Sequence, residues 1–212
     1  MKAGTGMKQN KKMITIGITG GVGCGKSSIL KYIGENYNCR IILADDVGNK
    51  VKEPGQPCYY ELIKLLGDEI LDMNSKSHAI DKAKMGAKIF SDSQLLEKVN
   101  AVIHPAVTEY ILNQRDIEKE EGIIDFFFIE AALLIECGYR EYVDELWYIY
   151  ADSATRRNRL KASRGYSDAK IDGIMASQLS ENEFRSNCDF VVDNNTTLEN
   201  AYKMIDERLK NK

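Results

Sequence analysis

Hydrophobic and polar residues alternate along the chain with two different periods. Short runs of apolar, β-branched or aromatic residues predict strands. Such runs lie at Met13–Thr19, Arg40–Ala44, Ile123–Glu130, Glu145–Ala151 and Asp189–Asp193. Stretches with apolar residues three and four positions apart predict helices at Lys26–Tyr37, Gln56–Leu66, Asp81–Phe90, Ser93–Glu120, Thr155–Ser163, Asp168–Gln178 and Thr197–Leu209. Because strands and helices alternate, we expect an α/β fold with a doubly wound parallel sheet of five strands.

Two stretches between strands are longer than one crossover helix requires. Residues 46–120 have only helical patterns, so we expect them to form a helical lobe attached to the core. Residues 153–187 are expected to form a lid. The remaining residues, 13–45, 121–152 and 188–212, would then form the core of the fold. The polar, basic residues 1–12 are expected to be a disordered leader.

The predicted lid is rich in arginine and lysine. Its basic residues are Arg156, Arg157, Arg159, Lys161, Arg164, Lys170 and Arg185. Such a cluster is often only a solvated helix face. The lid follows the carboxyl end of a predicted strand, however, and ligands of open α/β sheets bind at that edge. We therefore expect the lid to face phosphate groups and keep the solvated face as the alternative.

Composition excludes several classes of protein. The formal net charge of −3 gives no overall attraction to nucleic acid or to an anionic membrane. No apolar run approaches the roughly 20 residues of a membrane span. The cysteines are far apart and form no C-x-x-C pair, which argues against structural zinc and disulfides; they are Cys24, Cys39, Cys58, Cys137 and Cys188. These features predict a cytoplasmic protein without nucleic-acid or membrane partners.

The stretch GITGGVGCGKSS, Gly17–Ser28, matches the phosphate-binding loop pattern G-x-x-x-x-G-K-S in every defined position. It lies between a predicted strand and a predicted helix, as that loop requires. Backbone N–H groups and the helix N-terminus would surround the phosphates, Lys26 would bind the β- and γ-phosphates, and Ser27 would offer its hydroxyl to Mg²⁺. The predicted nucleotide-binding residues are Gly20, Gly21, Val22, Gly23, Cys24, Gly25, Lys26, Ser27 and Ser28.

Several enzyme classes share this loop. Asp45–Gly48 matches the D-x-x-G element of GTPases, but no N-K-x-D element follows it. Helicases and transporter ATPases need much longer chains. A small kinase with a substrate lobe and an arginine-rich lid fits the length and the order of elements best.

Further stretches resemble one kinase family, and they follow each other along the chain in the same order as in that family. They are ADDVGNKVKEPGQP, IFSDSQLLEKVNAVIHPAV, FFFIEAALLIECGY, RLKASRGYSDAKI and DFVVDNN. Together with the loop they are similar to the dephospho-coenzyme A kinases, over nearly all of the chain after Met13. The resemblance implies a phosphate-loop fold in which ATP, with Mg²⁺, phosphorylates the ribose 3′-hydroxyl of dephospho-CoA, the last step of coenzyme A synthesis.

The resemblance also implies roles for individual residues. Asp45 matches a family aspartate, which makes it the candidate base for the acceptor hydroxyl; its alternative role is to cap a helix that starts near Val47, for which Asp46 is better placed. Arg164 matches the lid arginine that contacts ATP phosphates, and Arg159 is the alternative. The further candidates for acceptor contacts are Lys82, His104 and Leu134, with His104 expected to shape a turn before Pro105.

Two more polar residues have alternative roles. Glu130 ends an apolar strand, where it would assist Mg²⁺ or the phosphate loop, or pair with a backbone group in the core. Asn194 follows the last strand, where it would line the adenine pocket or form an ordinary turn.

The chain departs from the family pattern at Leu43, Glu130, Ala132 and Lys82, where the family usually has Asp, Asp, Pro and Arg. Two alternatives therefore stay open. One is another small-molecule or nucleotide kinase, and the other is a nucleotide-binding module with weakened catalysis.

Overall fold

The computed structural model describes residues 12–90, 92–210 and 212. The expected leader, residues 1–12, lies outside the described residues except for Lys12. Its Nζ is 3.5 Å from Oδ1 of Asp144 at the surface. None of the helices in the described part of the chain combines the length and apolar character needed to cross a membrane.

A five-stranded parallel sheet forms from the apolar runs, as predicted. Its strands are β1 (Ile14–Thr19), β2 (Cys39–Leu43), β3 (Phe126–Glu130), β4 (Glu145–Tyr150) and β5 (Phe190–Asp193). Their order in the sheet is β2-β3-β1-β4-β5, so β1 is the central strand. Ile18 of β1 lies opposite Glu130 of β3 and Trp147 of β4. The central strand therefore delivers the residues after Thr19 to the carboxyl edge of the sheet.

The described residues also form nine α-helices. They are α1 (Lys26–Asn36), α2 (Ala44–Lys50), α3 (Pro57–Leu66), α4 (Lys82–Ile89), α5 (Ser93–Glu121), α6 (Ser153–Arg164), α7 (Asp168–Ala176), α8 (Glu181–Asn187) and α9 (Leu198–Leu209). Short 3₁₀ helices lie at Asp68–Ile70 and Tyr139–Tyr142.

The structure corrects two element boundaries and adds a helix. Ala44 was expected in a strand but begins α2, and β3 begins at Phe126, so that the exposed Ile123 lies outside it. Helix α8 was not predicted. It is short, and its Ser180–Glu183 capping box, rather than an apolar period, marks its start.

The chain forms two compact units. The first unit runs up to Ile41 and continues over Arg115–Lys212, and the second unit is Ile42–Gln114. The first unit packs α1 and α9 against the sheet through a buried aromatic and aliphatic core that includes Ile33, Phe128, Trp147 and Ile205. In the second unit Leu62, Leu66, Ile70, Val99 and Ile111 are almost fully buried. The predicted helical lobe, residues 46–120, overlaps the second unit.

Glu145 anchors the C-terminal helix in the first unit. It is only 6% exposed. Its carboxylate accepts hydrogen bonds from Trp147 Nε1 at 2.8 Å and Arg208 Nη2 at 2.8 Å, and it also pairs with Lys212. Burial would raise the pKa of Glu145, but the hydrogen bonds from Lys212, Trp147 and Arg208 outweigh burial and lower that pKa. The carboxylate is therefore charged and fully paired at neutral pH.

Candidate active site

The glycine-rich loop leaves the end of β1 and enters α1, as its sequence context predicts. Gly25 is the residue before α1 and has a φ of 94°, a conformation that glycine adopts without strain. Helix α1 has neither a capping side chain nor an acidic residue in its first turn. Its positive end is thus left for an external anion, while Ser27 and Ser28 are exposed beside it.

Lys26 is held at the base of the loop by two partners. Its Nζ donates to the carbonyl oxygen of Gly20 at 2.6 Å and lies 3.6 Å from Oε1 of Glu130. Both ion-paired side chains are 15% exposed. The structure therefore makes Glu130 a partner of the phosphate loop. The lysine is also accessible enough to exchange these contacts for phosphate oxygens.

Asn194 supports the loop from the opposite end of the chain. Its amide nitrogen donates to the carbonyl oxygen of Cys24 at 2.7 Å, and a Cβ at Gly25 would overlap this amide. Arg159 donates to the carbonyl oxygens of Cys24 at 3.2 Å and Asn194 at 2.8 Å. Asn194 is 1% exposed, and its Oδ1 accepts no hydrogen bond from the described residues. Asn194 and Arg159 therefore hold the loop in shape.

Cys24 faces the interior of the protein. It is 1% exposed, and burial raises the pKa of its thiol despite the opposing charge of Lys26. The thiol therefore stays protonated at neutral pH and fills space beneath the loop.

Two residues at the loop were not singled out from the sequence. Arg156 Nε donates to the carbonyl oxygen of Val22 at 2.8 Å, and its Nη2 donates to Oε1 of Gln178 at 2.5 Å. The same Gln178 oxygen accepts the backbone N–H of Val22 at 3.2 Å. A sequence signal existed for the arginine, because Arg156 and Arg159 are three residues apart and share a helix face just after β4.

The rest of the basic cluster divides into paired and exposed residues. Arg157 pairs with Asp168 and Asp172. Arg164 is exposed in the last turn of α6, where its guanidinium lies 5.8 Å from the ring centroid of Tyr166. The structure therefore brings Arg156 and Arg159, but not Arg164, into contact with the loop.

The candidate acceptor residues Asp45, Lys82 and His104 all belong to the second unit and are exposed. Asp45 lies in the first turn of α2, two residues after β2. The residue preceding α2 is Leu43, and no side chain caps this helix, so a capping role for Asp45 or Asp46 is wrong. The expected turn at His104 is also wrong, because α5 continues through Pro105.

Lys82 is the first residue of α4, directly after Asp81, whose side chain caps that helix. Leu134, predicted to contact the acceptor, is fully buried in the first unit beside Gly17. This burial favours a packing role for the leucine.

The donor set near the loop suits Mg²⁺ bound mainly by phosphates and water. Within the residues that the structure describes, no group of three or more His, Cys, Asp or Glu side chains could hold a metal ion. The exposed hydroxyl of Ser27 and the carboxylate of Glu130 are oxygen donors near the loop. Mg²⁺ typically takes one or two such protein ligands and keeps several waters.

A family model and a curated relative indicate the same protein family. Residues 14–200 match the family model described as dephospho-CoA kinase. A dephospho-CoA kinase of Streptococcus mutans is 33% identical over 196 residues, which is 92% of this chain and 96% of that protein.

Two solved structures share the fold. A Thermus thermophilus protein has a TM-score of 0.76 at 23% identity, over 95% of this chain and 98% of that one. The dephospho-CoA kinase of Campylobacter jejuni has a TM-score of 0.63 at 19% identity, over 94% of this chain and 97% of that one.

Proposed function

The chain belongs to the dephospho-CoA kinase family, and we propose that it transfers the γ-phosphoryl group of ATP to the ribose 3′-hydroxyl of dephospho-CoA. The products are coenzyme A and ADP. The observation that carries this function is the complete phosphate loop at the end of the central strand, with Lys26 held between Gly20 and Glu130. Phosphoryl transfer needs positioning and charge neutralisation more than covalent help from the protein, and this loop supplies both.

On the nucleotide side, the loop residues Gly20 to Ser28 bind the phosphates of ATP through backbone N–H groups. Lys26 exchanges its contacts with Gly20 and Glu130 for oxygens of the β- and γ-phosphates, where it neutralises the charge that develops on the leaving ADP. Arg159 and Asn194 keep the loop in shape, and the unpaired Oδ1 of Asn194 supports a place for Asn194 beside the bound nucleotide.

On the acceptor side, Asp45 is the base. As the 3′-oxygen forms its bond to the γ-phosphorus, the bond from that phosphorus to the β,γ-bridging oxygen breaks, and the hydroxyl proton moves to the Asp45 carboxylate. The exposure of Asp45 and the absence of a capping role for it support this assignment. Lys82 and His104 contact the acceptor, which is bound by the predicted lobe, residues 46–120.

Mg²⁺ would be held by Ser27, with Glu130 nearby, and would supply charge neutralisation between the β- and γ-phosphates. Arg164 is exposed at the end of α6 and would reach the phosphates when the lid, residues 153–187, closes. A cytoplasmic location and the absence of nucleic-acid partners stay predictions.

The test is a coupled ADP assay with ATP, Mg²⁺ and dephospho-CoA, with the product identified by mass and by the position of its phosphate. We expect ADP and coenzyme A in equal amounts. ATP binding without turnover would instead indicate a nucleotide-binding module, and turnover only with other acceptors would indicate a different small-molecule kinase.

A further inference from the structure

Arg156 is a cation at the phosphate loop without a carboxylate partner. Its neighbour Arg157 forms ion pairs with Asp168 and Asp172, and Arg185 pairs with Glu181. Across residues 12–90, 92–210 and 212, no Asp or Glu lies within ion-pair distance of Arg156. It is partly buried and contacts only neutral acceptors, the Val22 carbonyl and the Gln178 amide oxygen. No ion pair with a described residue therefore neutralises its charge beside the loop.

The guanidinium lies against the loop itself. A Cβ at Gly21 would overlap it, so the loop backbone approaches this cation as closely as glycine allows. The charges of Lys26 and Arg156 both act on the thiol of Cys24, where they oppose the larger effect of burial on its pKa. Lys26 has Glu130 as a counter-ion, whereas none of the described residues forms an ion pair with Arg156. An anion bound in the loop would compensate the second charge.

Gln178 determines where this cation lies. Its Oε1 accepts from Arg156 Nη2 and from the backbone N–H of Val22, so one side-chain oxygen connects the lid to the loop. Two of the three guanidinium nitrogens are held in this way, and Nη1, which donates to none of the described residues, keeps its hydrogen-bonding capacity for a ligand. The guanidinium is thus oriented before any ligand binds, which reduces the entropy lost on binding.

We propose that Arg156 binds the phosphate chain of ATP and that Gln178 is the positioning residue that holds it there. The inference rests on the proposed function only in taking ATP as the ligand of the loop. It adds a preformed cation to a site in which Arg164 acts only after the lid closes.

The first experiment measures nucleotide binding by calorimetry with the full-length chain and no acceptor, using a non-hydrolysable ATP analogue and adenosine. We expect Arg156→Gln to weaken binding of the analogue by about 10- to 100-fold, the size of a lost charge-assisted hydrogen bond, and to leave adenosine binding unchanged. Arg156→Lys should recover part of the loss. The matched control is Arg157→Gln on the same helix, expected to stay within about threefold of wild type.

The outcomes separate this inference from the proposed function. Equal binding of the analogue by wild type and Arg156→Gln overturns the inference alone. So does an equal weakening of the analogue and adenosine, which would mean that Arg156 only supports the fold of the loop. A wild-type protein that binds no analogue overturns both. If Arg156→Gln does not fold, Arg156→Lys is the deciding variant. Wild-type affinity of Arg156→Lys for the analogue would contradict the proposal that the oriented guanidinium binds the phosphate chain.

The second experiment concerns Gln178 and uses the steady-state assay. Gln178→Ala should raise the KM for ATP by about tenfold with the KM for dephospho-CoA unchanged, because Arg156 loses its orientation. Gln178→Glu should also raise the KM for ATP, because its carboxylate would pair with Arg156 and take the place of the phosphate as counter-ion. Ser177→Ala is the neighbouring control. Equal changes in both KM values, or an unchanged KM for ATP in Gln178→Ala, would overturn the positioning role of Gln178.

Discussion

The two units present their candidate site residues in different ways. In the first unit, the residues assigned to ATP are held by hydrogen bonds before any ligand binds: Lys26 by Gly20, Asn194 and Arg159 by the Cys24 carbonyl, and Arg156 by Val22 and Gln178. In the second unit, Asp45 and Lys82 are exposed at the starts of α2 and α4.

This difference has a chemical cause. A phosphate chain is recognised by backbone N–H groups and cations, so its site can be built in advance from a rigid loop. A carboxylate that takes a proton from one hydroxyl needs the acceptor beside it, and exposed residues can gain that environment when the acceptor binds. Substitutions that alter the geometry of the loop should therefore weaken ATP binding, whereas substitutions in the second unit should affect the acceptor step.

The largest effect is expected at Lys26, in the loop that is held in place before a ligand binds. Lys26→Ala should lower kcat by about 10³-fold or more, because the charge on the transferring phosphoryl group loses its nearest cation. Lys31→Ala is the control on the same helix, since Lys31 is 75% exposed and forms only a weak i,i+4 pair with Glu35. Steady-state kinetics and thermal unfolding measure both variants. Near-normal turnover by Lys26→Ala would contradict the assignment of the loop.

Asp45→Asn tests the second unit. We expect kcat to fall by about 10²-fold or more, the scale of a lost general base, while the affinity for an ATP analogue stays unchanged. Asp46→Asn, the adjacent exposed carboxylate of the same helix turn, should retain most of the activity. If Asp45→Asn lost ATP binding yet reacted at the normal rate, the two units would not divide their roles as proposed.

Substitution of Arg164 tests whether the lid contributes a side chain that reaches the phosphates only after ligands bind. Arg164→Ala should lower kcat about tenfold or more, and Arg164→Lys should recover only part, because an ammonium lacks the planar fork. Hydrogen exchange over residues 153–187 should slow when ATP analogue and dephospho-CoA bind together. An active Arg164→Ala enzyme with unchanged hydrogen exchange would mean that the part of the lid around Arg164 is only a solvated helix face.

The smallest catalytic effect is expected at Glu145, which supports the first unit away from the loop. Glu145→Gln should lower the free energy of unfolding by about 2 kcal/mol with little change in kcat, because Arg208 and Lys212 lose a charged partner. Glu207→Gln is an exposed control on α9.

The contribution of Glu145 should also depend on pH. Because its pKa is lowered in the folded protein, this stability is present above the ordinary Glu pKa and is lost as the pH falls through the lowered value. Chemical denaturation of wild type and variant at neutral and acidic pH measures this. A difference that does not shrink at acidic pH would mean that lost packing, not lost charge, explains the variant.

Several features followed from the sequence because they depend on local patterns. The apolar runs predict the five strands, and the loop between β1 and α1 has its motif in twelve consecutive residues, Gly17–Ser28. Local sequence patterns did not predict every element correctly. Helix α8 has too few residues for a clear period. The predicted helix Ser93–Glu120 does form as α5, but it continues through Pro105 without the turn expected at His104.

The sequence by itself determined the strand order along the chain, the phosphate loop and the family resemblance, since each resides in contiguous residues. Only the tertiary structure decided which distant side chains serve that loop. Asn194 reaches Cys24 across 170 positions, and Gln178 reaches Val22 across 156. Which of the lid arginines contacts the loop depends on how α6 packs against the loop, where Arg156 and Leu160 lie close to Gly23. No local period records that choice, because seven basic residues of one stretch carry the same charge and only their distance from the loop separates them.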